Sequence, residues 1–253
     1  MLRVNDVHLS FGGVKALQGV SFEAKAGEIT GVIGPNGAGK TSLFNVISGF
    51  YAAEKGTVTF GGEDISGLSP NKRAELGMAR TFQNIALFRG MTVLDNIKLG
   101  SHTRLDATVW SALRYFGTAQ KEELALRQDL EERVIDFLEI DHIRKAPITA
   151  LPYGLQKRVE LARALAMKPK ILLLDEPVAG MNREETADMA RFILDVQEKF
   201  GTTILLVEHD MNLVMDICSH IVVLNFGRQI AQGTPEEISK HPDVIDAYLG
   251  QAA

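Results

Sequence analysis

The stretch Gly34-Pro35-Asn36-Gly37-Ala38-Gly39-Lys40-Thr41-Ser42 fits the pattern G-x-x-x-x-G-K-[ST] at every fixed position. An apolar run at 29–33 precedes it and predicts a buried strand, and residues 42–48 predict a helix that Gly49 stops. The alternative is a glycine-rich turn that binds nothing, but the flanking strand and helix favour a ligand site. The sequence therefore predicts a phosphate-binding loop.

Each residue type in this loop has a chemical reason. Gly37 and Gly39 allow backbone N–H groups to turn inward around a phosphate, and the N-terminus of the next helix adds positive potential. Lys40 supplies a point charge between the β- and γ-phosphates, and the Thr41 hydroxyl can coordinate magnesium. We therefore assign the whole stretch to a magnesium nucleotide: Gly34, Pro35, Asn36, Gly37, Ala38, Gly39, Lys40, Thr41 and Ser42.

The composition bounds the remaining possibilities. The chain has 253 residues, of which 45% are hydrophobic and 23% charged, as in a globular protein with one large core or two small domains. A net charge of −5 gives no general attraction to nucleic acid, so we expect no such partner. The only cysteine, Cys218, excludes an internal disulfide. No apolar run approaches the ~20 residues that span a bilayer, and no signal peptide is evident, so we expect the chain alone to stay in the cytoplasm.

Strands and helices alternate along most of the chain. Residues 2–33 alternate apolar and polar positions and predict a small antiparallel sheet, and a helix is predicted over 68–78. Apolar runs at 171–174, 203–207 and 221–224 predict buried strands with helices between them. This alternation indicates an α/β fold with a parallel sheet, whose ligands lie at the carboxyl ends of the strands.

Between residues 85 and 150 the pattern changes to helices without strands. One amphipathic stripe comprises Leu126, Leu130, Val134, Phe137 and Leu138. A helix predicted from near Leu155 keeps its charged residues, Lys157 and Glu160 among them, off its apolar face. We predict a nucleotide-binding core at 1–84 and 166–253 and a helical subdomain at 85–165. The aromatic residues of 105–118 fit no clean period, so they belong either to the core or to a patch for a partner.

Polar side chains follow the predicted core strands. Asp175 and Glu176 come directly after four apolar residues, and His209 follows the next strand. Carboxylate oxygens suit magnesium, so we assign Asp175 to the metal through water and Glu176 as the base that orients or deprotonates the attacking water. His209 is a candidate γ-phosphate contact, and Gln83 suits reversible contact with magnesium or water. The candidate catalytic residues are Glu176, His209 and Gln83, and the metal ligands are Thr41, Gln83 and Asp175.

The order of these parts resembles the ATPase subunit of ABC transporters. The matching motifs are the phosphate loop (Walker A), Gln83 (Q-loop), residues 151–156 leading into 162–165 (signature), 171–177 (Walker B), 179–182 (D-loop) and His209 (H-loop). The signature Leu-Pro-Tyr-Gly, the sequence Val-Glu-His-Asp-Met at 207–211 and the ending Ala-Tyr-Leu-Gly at 247–250 are more closely similar to the ATPase subunit of branched-chain amino acid importers. The resemblance therefore implies an ABC-type cassette of the P-loop NTPase fold.

The resemblance implies further ligand residues and one departure. Phe11 stands where an aromatic residue of the family stacks on adenine, and Tyr153 and Gly154 of the signature would meet the ATP of a second subunit. The usual signature is Leu-Ser-Gly-Gly-Gln, and here Pro152 replaces the serine. The hydroxyl that would bond the γ-phosphate is absent, which leaves the Gly154 backbone and the helix N-terminus for that contact.

The resemblance also implies a function with partners. Two ATPase subunits, identical or closely paralogous, would close on ATP and Mg²⁺ and drive transmembrane permease subunits, with a periplasmic or extracellular binding protein supplying solute. The chain would lie on the cytoplasmic face of the cell membrane, and the groove after Gln83, including Phe88, Arg89, Met91, Thr92 and Asn96, would receive the permeases.

Other functions stay open at this point. A lipopolysaccharide exporter has an ATPase with much of the same pattern. A non-transport ABC ATPase that regulates nucleic-acid machinery would need a long coiled-coil insert, tandem cassettes or a basic patch, none of which the sequence has. A simple P-loop kinase is disfavoured because it needs neither a signature nor an H-loop.

Overall fold

A computed structural model of the chain describes residues 1–101, 128 and 130–249. The chain separates into two compact units, of which the first comprises 1–83, 170–179 and 183–253, and the second 84–169 and 180–182. The predicted aromatic segment 105–118 and Leu126 lie outside the described residues. No helix within the described part of the chain is long and apolar enough to cross a membrane.

The first unit begins with an antiparallel sheet. Its strands are β1 (Leu2–Phe11), β2 (Val14–Ala24), β4 (Lys55–Phe60) and β5 (Glu63–Asp64), in the order β2-β1-β4-β5. Val4 faces Phe22 on one side and Val58 on the other, and all three side chains are buried. The alternation of apolar and polar residues thus gives this sheet one buried face, as predicted.

The second sheet of this unit is mostly parallel. Its six strands are β3 (Ile29–Ile33), β6 (Met78–Arg80), β7 (Ile171–Asp175), β8 (Thr203–Val207), β9 (His220–Asn225) and β10 (Arg228–Gly233). They lie in the order β10-β9-β3-β8-β7-β6, and all are parallel except the edge strand β10. Every residue of β3, β7 and β8 is buried, which explains why their sequences are continuous apolar runs.

Six helices are described in this unit. Four lie between strands, namely α1 (Lys40–Ile47), α2 (Pro70–Glu75), α5 (Arg183–Phe200) and α6 (Met211–Ile217), and two follow the last strand, α7 (Pro235–Ser239) and α8 (Pro242–Leu249). Met189, Phe192, Ile193 and Val196 form the buried stripe of α5, as predicted. The helix predicted over 68–78 is shorter in the structure and ends at Glu75, because Gly77 takes φ +101° and breaks the helix. Met78 then begins β6.

The second unit contains α3 (Val93–Gly100), a π-helical turn at Glu131–Asp136, 3₁₀ turns at Asp141–Ile143 and Ile148–Ala150, and α4 (Tyr153–Leu165). Leu130, Val134 and Leu138 of the predicted stripe are buried. Lys157 and Glu160, which the sequence places off the apolar face of α4, are nevertheless buried, at 3% and 1% exposed. They lie 3.9 Å apart as a buried ion pair, and Glu160 also accepts a hydrogen bond from the Ala86 N–H at 3.4 Å. Pairing makes the burial of both charges tolerable.

Candidate functional site

The phosphate loop connects β3 to α1, as the sequence predicted. Gly37 and Gly39 take φ values of +79° and +104°, and Gly39 precedes the first residue of α1. At Gly34 an added Cβ would stand 2.1 Å from the Leu224 carbonyl oxygen, so this position has no room for a side chain. The glycines therefore serve both the loop conformation and the close packing of the loop against β9.

Lys40 is held inside the phosphate loop. Its side chain is 7% exposed, and Nζ donates to the carbonyl oxygens of Gly34 at 2.6 Å and Pro35 at 3.0 Å. Burial lowers the pKa of Lys40, while the charges of Glu176 and Asp175 act in the opposite direction. An ammonium group whose charge is made costly by burial gains most from an anion, so Lys40 is prepared for a phosphate.

An open cleft of ≈ 530 Å³ lies over the loop. This volume falls within the roughly 300–1,000 Å³ usual for ligand sites. The phosphate loop forms its floor, and the cleft brings the following residues together: Val14, Lys15, Ala16, Gln18, Asn36, Gly37, Ala38, Gly39, Lys40, Thr41, Ser42, Gln83, Glu176 and Phe226. The structure thus places the loop, the Q-loop glutamine and the proposed base around one space.

Two of the predicted catalytic side chains approach one carboxylate oxygen of the third, Glu176. Gln83 Nε2 donates to Glu176 Oε2 at 2.9 Å, and His209 Nδ1 lies 4.0 Å from the same oxygen. Glu176 also takes φ +50°, an uncommon conformation for a residue with a side chain, and its N–H donates to the Val207 carbonyl at 2.9 Å. Such a conformation persists only where the surroundings enforce it, and here it directs the carboxylate into the cleft.

The proposed metal ligands are oxygen donors of the kind that magnesium prefers. Thr41 is exposed at the start of α1, and Asp175 is 2% exposed at the end of β7. In the part of the chain that the structure describes, no group of three or more His, Cys, Asp or Glu side chains is arranged to hold a metal by itself. The chemistry of these side chains fits a magnesium ion that would be held by the Thr41 hydroxyl and the Gln83 amide oxygen, with Asp175 acting through water.

Glu208 is a structural element of the site that the sequence reasoning did not single out. Its side chain is fully buried, with Oε1 accepting from the Val178 N–H at 3.0 Å and Oε2 from the His209 N–H at 3.1 Å. Burial raises the pKa of Glu208, and the backbone hydrogen bonds act against that rise. Glu208 thus joins the segment after Glu176 to the segment that carries His209. The feature of the sequence that could have identified Glu208 is its place as a charged residue directly after a buried strand.

The turn between β9 and β10 was also missed. The Gly227 N–H donates to the Ala38 carbonyl at 2.9 Å, and its own carbonyl accepts from the Gln18 N–H at 2.8 Å. Gly227 takes φ +77°, and an added Cβ would stand 2.7 Å from the Ala16 carbonyl oxygen. Gly227 therefore fills a narrow space between the phosphate loop and β2, a long-range contact with no local signature.

Phe11 lies at the end of β1, paired in register with Val14 of the cleft wall. Its ring is 46% exposed and packs edge-on against Tyr51, with centroids 5.2 Å apart. Phe11 is not among the residues that line the cleft, although its ring is exposed, so its role as the contact for adenine stays a prediction.

We expect Phe11→Ala to weaken ATP binding by roughly 1–3 kcal/mol, the scale of a base stacked on an aromatic ring, with little change in the rate of hydrolysis at saturating ATP. Titration calorimetry with ATP would measure it. Phe226→Ala is the matched control, because Phe226 is also an exposed aromatic residue, at 73%, and it lines the cleft. Unchanged affinity in Phe11→Ala would assign Phe11 to the sheet, and a larger loss in Phe226→Ala would place the base against Phe226.

The signature lies in the second unit, where α4 begins at Tyr153 directly after Pro152. The Tyr153 ring is 43% exposed and stands beside the D-loop glycine, Gly180, at which an added Cβ would be 3.3 Å from Tyr153 Cε1. Lys157 Nζ lies 6.0 Å from the centroid of the same ring. The tyrosine that replaces the usual glycine therefore packs along the D-loop, and Gly154 follows it in the first turn of α4.

Comparisons with known proteins agree with this architecture. A family model described as ABC transporter matches residues 17–179, and one described as branched-chain amino acid ATP-binding cassette transporter matches residues 228–253. The sequence is 43% identical to the high-affinity branched-chain amino acid transport ATP-binding protein LivG of Salmonella typhimurium and 40% identical to BraF of Pseudomonas aeruginosa, with 100% of this chain and 98% of each relative covered. The crystal structure of a nucleotide-free ATP-binding cassette from an ABC transporter superposes with a TM-score of 0.84 at 33% identity, over 98% of both chains.

The phosphate loop at the end of β3, in a mostly parallel sheet, defines the class as a P-loop nucleotide-binding protein. The chain belongs to the ABC transporter family, as an ATP-binding cassette with ATPase activity. The predicted fold, an ABC-type cassette with a parallel core sheet, an antiparallel β-subdomain and a helical part, is confirmed.

Proposed function

We propose that the chain is the ATP-binding and ATP-hydrolysing subunit of an importer of branched-chain amino acids, peripheral to the cytoplasmic face of the cell membrane. The observation that carries this proposal is the match of residues 228–253 to the branched-chain amino acid cassette family, because this C-terminal segment lies outside the general ABC match at 17–179. The names of LivG and BraF support the same solute class. The alternative of a lipopolysaccharide exporter is not favoured by these findings.

The site residues have distinct roles in the proposed hydrolysis. Lys40 and the loop N–H groups bind the β- and γ-phosphates, and a bound Mg²⁺ would neutralise the charge that develops on them. Glu176 orients the attacking water and accepts its proton. Gln83 holds the Glu176 carboxylate through the 2.9 Å hydrogen bond, and His209, 4.0 Å from Glu176 Oε2, is near enough to reach a γ-phosphate in the same space.

We propose that a second ATPase subunit completes the site. The chain carries one phosphate loop and one signature, and in the family ATP lies between the loop of one subunit and the signature of the other. Tyr153, at the N-terminus of α4, is 43% exposed and can contact a partner, whereas Gly154 is buried within the subunit. Closure of two subunits on ATP is the step that would move the permeases.

The loop after Gln83 is the proposed contact with the permease subunits. Phe88 and Met91 are 56% and 37% exposed, and Arg89 is also exposed, so these side chains can contact a partner. Asn96, in contrast, is fully buried and does not line an open groove. It accepts from the Phe88 N–H at 2.8 Å and donates to the Phe88 and Thr92 carbonyls at 3.1 and 3.0 Å, so it holds the loop in shape.

Reconstitution tests the proposed function. The protein would be purified with the permease subunits encoded beside its gene, placed in proteoliposomes with their solute-binding protein, and supplied with ATP. We expect uptake of labelled leucine that unlabelled isoleucine and valine reduce and glutamate does not. ATP-dependent uptake of a polar solute instead, with no effect of leucine, would contradict the proposed solute class.

Gly154→Asp tests whether the signature faces nucleotide. We expect hydrolysis by the assembled transporter to fall at least tenfold, because the new side chain obstructs close approach of the backbone and adds a negative charge opposite phosphate. The ATP affinity of the separate subunit should stay within about twofold of the parent's, because the phosphate loop is unchanged. Parental turnover in this variant would mean that the segment does not contact ATP.

Pro152→Ser is the matched control for that experiment. It restores the hydroxyl of the usual signature, and a hydroxyl contact contributes about 0.5–1.5 kcal/mol, so we expect turnover to stay level or to rise modestly. A strong loss of turnover in Pro152→Ser would show that this cassette depends on the proline at the start of α4.

A further inference from the structure

We propose that Arg80 is a positioning residue that fixes the Asp175 carboxylate and thereby sets the affinity of the ATP-loaded site for its divalent metal ion. This inference rests on the proposed function, since it takes Asp175 as the residue that meets the metal. Arg80 belongs to none of the motifs that the sequence singled out. It ends β6, the edge strand beside β7, where it pairs in register with Leu173.

The contact with Asp175 is a buried ion pair. Arg80 Nη2 donates to Asp175 Oδ2 at 2.8 Å, and the two side chains are 7% and 2% exposed. A carboxylate this deeply buried needs a compensating charge at a fixed distance, because removal of one member of such a pair leaves the other uncompensated. The position of the proposed metal-binding carboxylate therefore depends on Arg80 before any metal arrives.

The other terminal nitrogen of the Arg80 guanidinium, Nη1, connects the Arg80–Asp175 ion pair to α1, the helix that follows the phosphate loop. Nη1 donates to Asn45 Oδ1 and to Ser48 Oγ, each at 2.7 Å, and both residues follow the phosphate loop on α1 or at its end. Ser48 Oγ itself donates to the Phe44 carbonyl at 2.6 Å, which orients its lone pairs toward the guanidinium. One planar group thus fixes the end of β7 relative to the helix that carries Lys40 and Thr41.

Aromatic rings hold the guanidinium in place. Its central carbon lies 5.0 Å from the centroid of the Phe82 ring and 5.7 Å from those of Phe44 and Phe50. Phe82 directly precedes Gln83, so the group that orients Asp175 also packs against the start of the Q-loop. A lysine could supply the charge but not the planar fork that reaches Asp175 and α1 together.

Two consequences separate this role from a merely structural one. Loss of the guanidinium should leave the phosphate contacts of Lys40 and the loop intact, so ATP should still bind when metal is absent. The metal should bind less well to the ATP-loaded protein, because its carboxylate is no longer held in one orientation. A general loss of folding would instead weaken both kinds of binding equally.

The experiment measures ATP affinity in EDTA and then titrates the ATP-saturated protein with Mn²⁺, read by electron paramagnetic resonance of the free ion. For Arg80→Gln we expect ATP affinity in EDTA within twofold of the parent and a Mn²⁺ requirement at least tenfold higher. Arg80→Lys should recover part of the Mn²⁺ affinity because the charge is restored without the fork. Arg80→Lys also keeps the test possible should Arg80→Gln fail to fold.

Arg73→Gln is the matched control. Arg73 is a buried arginine, 2% exposed, whose Nη1 donates to the Val46 and Ile47 carbonyls of the same α1 at 2.7 and 2.6 Å. We expect this variant to melt at a lower temperature with an unchanged Mn²⁺ requirement. A parental Mn²⁺ requirement in Arg80→Gln, or an equal loss of ATP binding in EDTA, would overturn the proposal. Failure of the parental protein to bind Mn²⁺ with ATP would instead reject the proposed nucleotide site.

Discussion

Lys40→Ala is expected to weaken ATP binding about a hundredfold and to remove most ATP turnover. Lys40 Nζ donates to the Gly34 and Pro35 carbonyls at 2.6 and 3.0 Å. Burial disfavours the charged form of Lys40 and lowers its pKa. A phosphate replaces these neutral acceptors with charged ones. Two charge-assisted contacts of ~1.5 kcal/mol each would together account for this factor.

Lys15→Ala is the matched control for Lys40→Ala, because Lys15 lines the same cleft but is exposed. Because solvent screens the charge of an exposed lysine, its removal from the cleft wall should change ATP affinity only a few-fold. Affinity would be measured by calorimetry and turnover by phosphate release, with melting temperatures recorded for both variants. Normal hydrolysis by Lys40→Ala would contradict the assignment of the phosphate loop.

The features that could be predicted from the sequence are those encoded by neighbouring residues. The phosphate loop has a fixed spacing, and β7 and β8 are continuous apolar runs because both faces of a parallel strand are covered. Asp175 ends β7 and His209 lies two residues after the end of β8, so their place at one edge of the sheet follows from the topology of a parallel sheet. Local pattern and global fold agree at these positions.

The features that were missed depend on contacts between distant parts of the chain. The Gly227 N–H donates to the carbonyl of Ala38, a residue far away in the sequence. Arg80 donates to Asp175 because β6 pairs with β7. Neither contact changes the periodicity around it. The burial of Lys157 and Glu160 was not predicted for a related reason: charge alone favours exposure, and a paired charge makes burial tolerable.

The role of Glu176 is the most sharply testable part of the proposed chemistry. Its neighbour Glu208 is also a carboxylate near His209, with Oε2 3.9 Å from His209 Nδ1 against 4.0 Å for Glu176 Oε2. The surroundings differ, however. Glu208 is fully buried and accepts backbone N–H groups, whereas Glu176 faces the cleft and accepts from Gln83. Distance to the histidine therefore does not distinguish a structural carboxylate from the proposed base, and only substitution can.

Glu176→Gln is expected to lower the rate of ATP hydrolysis by roughly 10²–10⁴, the usual contribution of a general base, while Mg-ATP still binds. The amide keeps the size of the side chain but cannot accept the proton of water. Two subunits that close on ATP should then stay together, so size-exclusion chromatography with ATP should show a persistent dimer. Glu208→Gln is the control: the loss of one buried acceptor should cost about 1–3 kcal/mol of folding stability and leave most turnover intact. Monomer alone with ATP, in both Glu176→Gln and the parent, would contradict the two-subunit arrangement, and rapid hydrolysis by Glu176→Gln would show that another group activates the water.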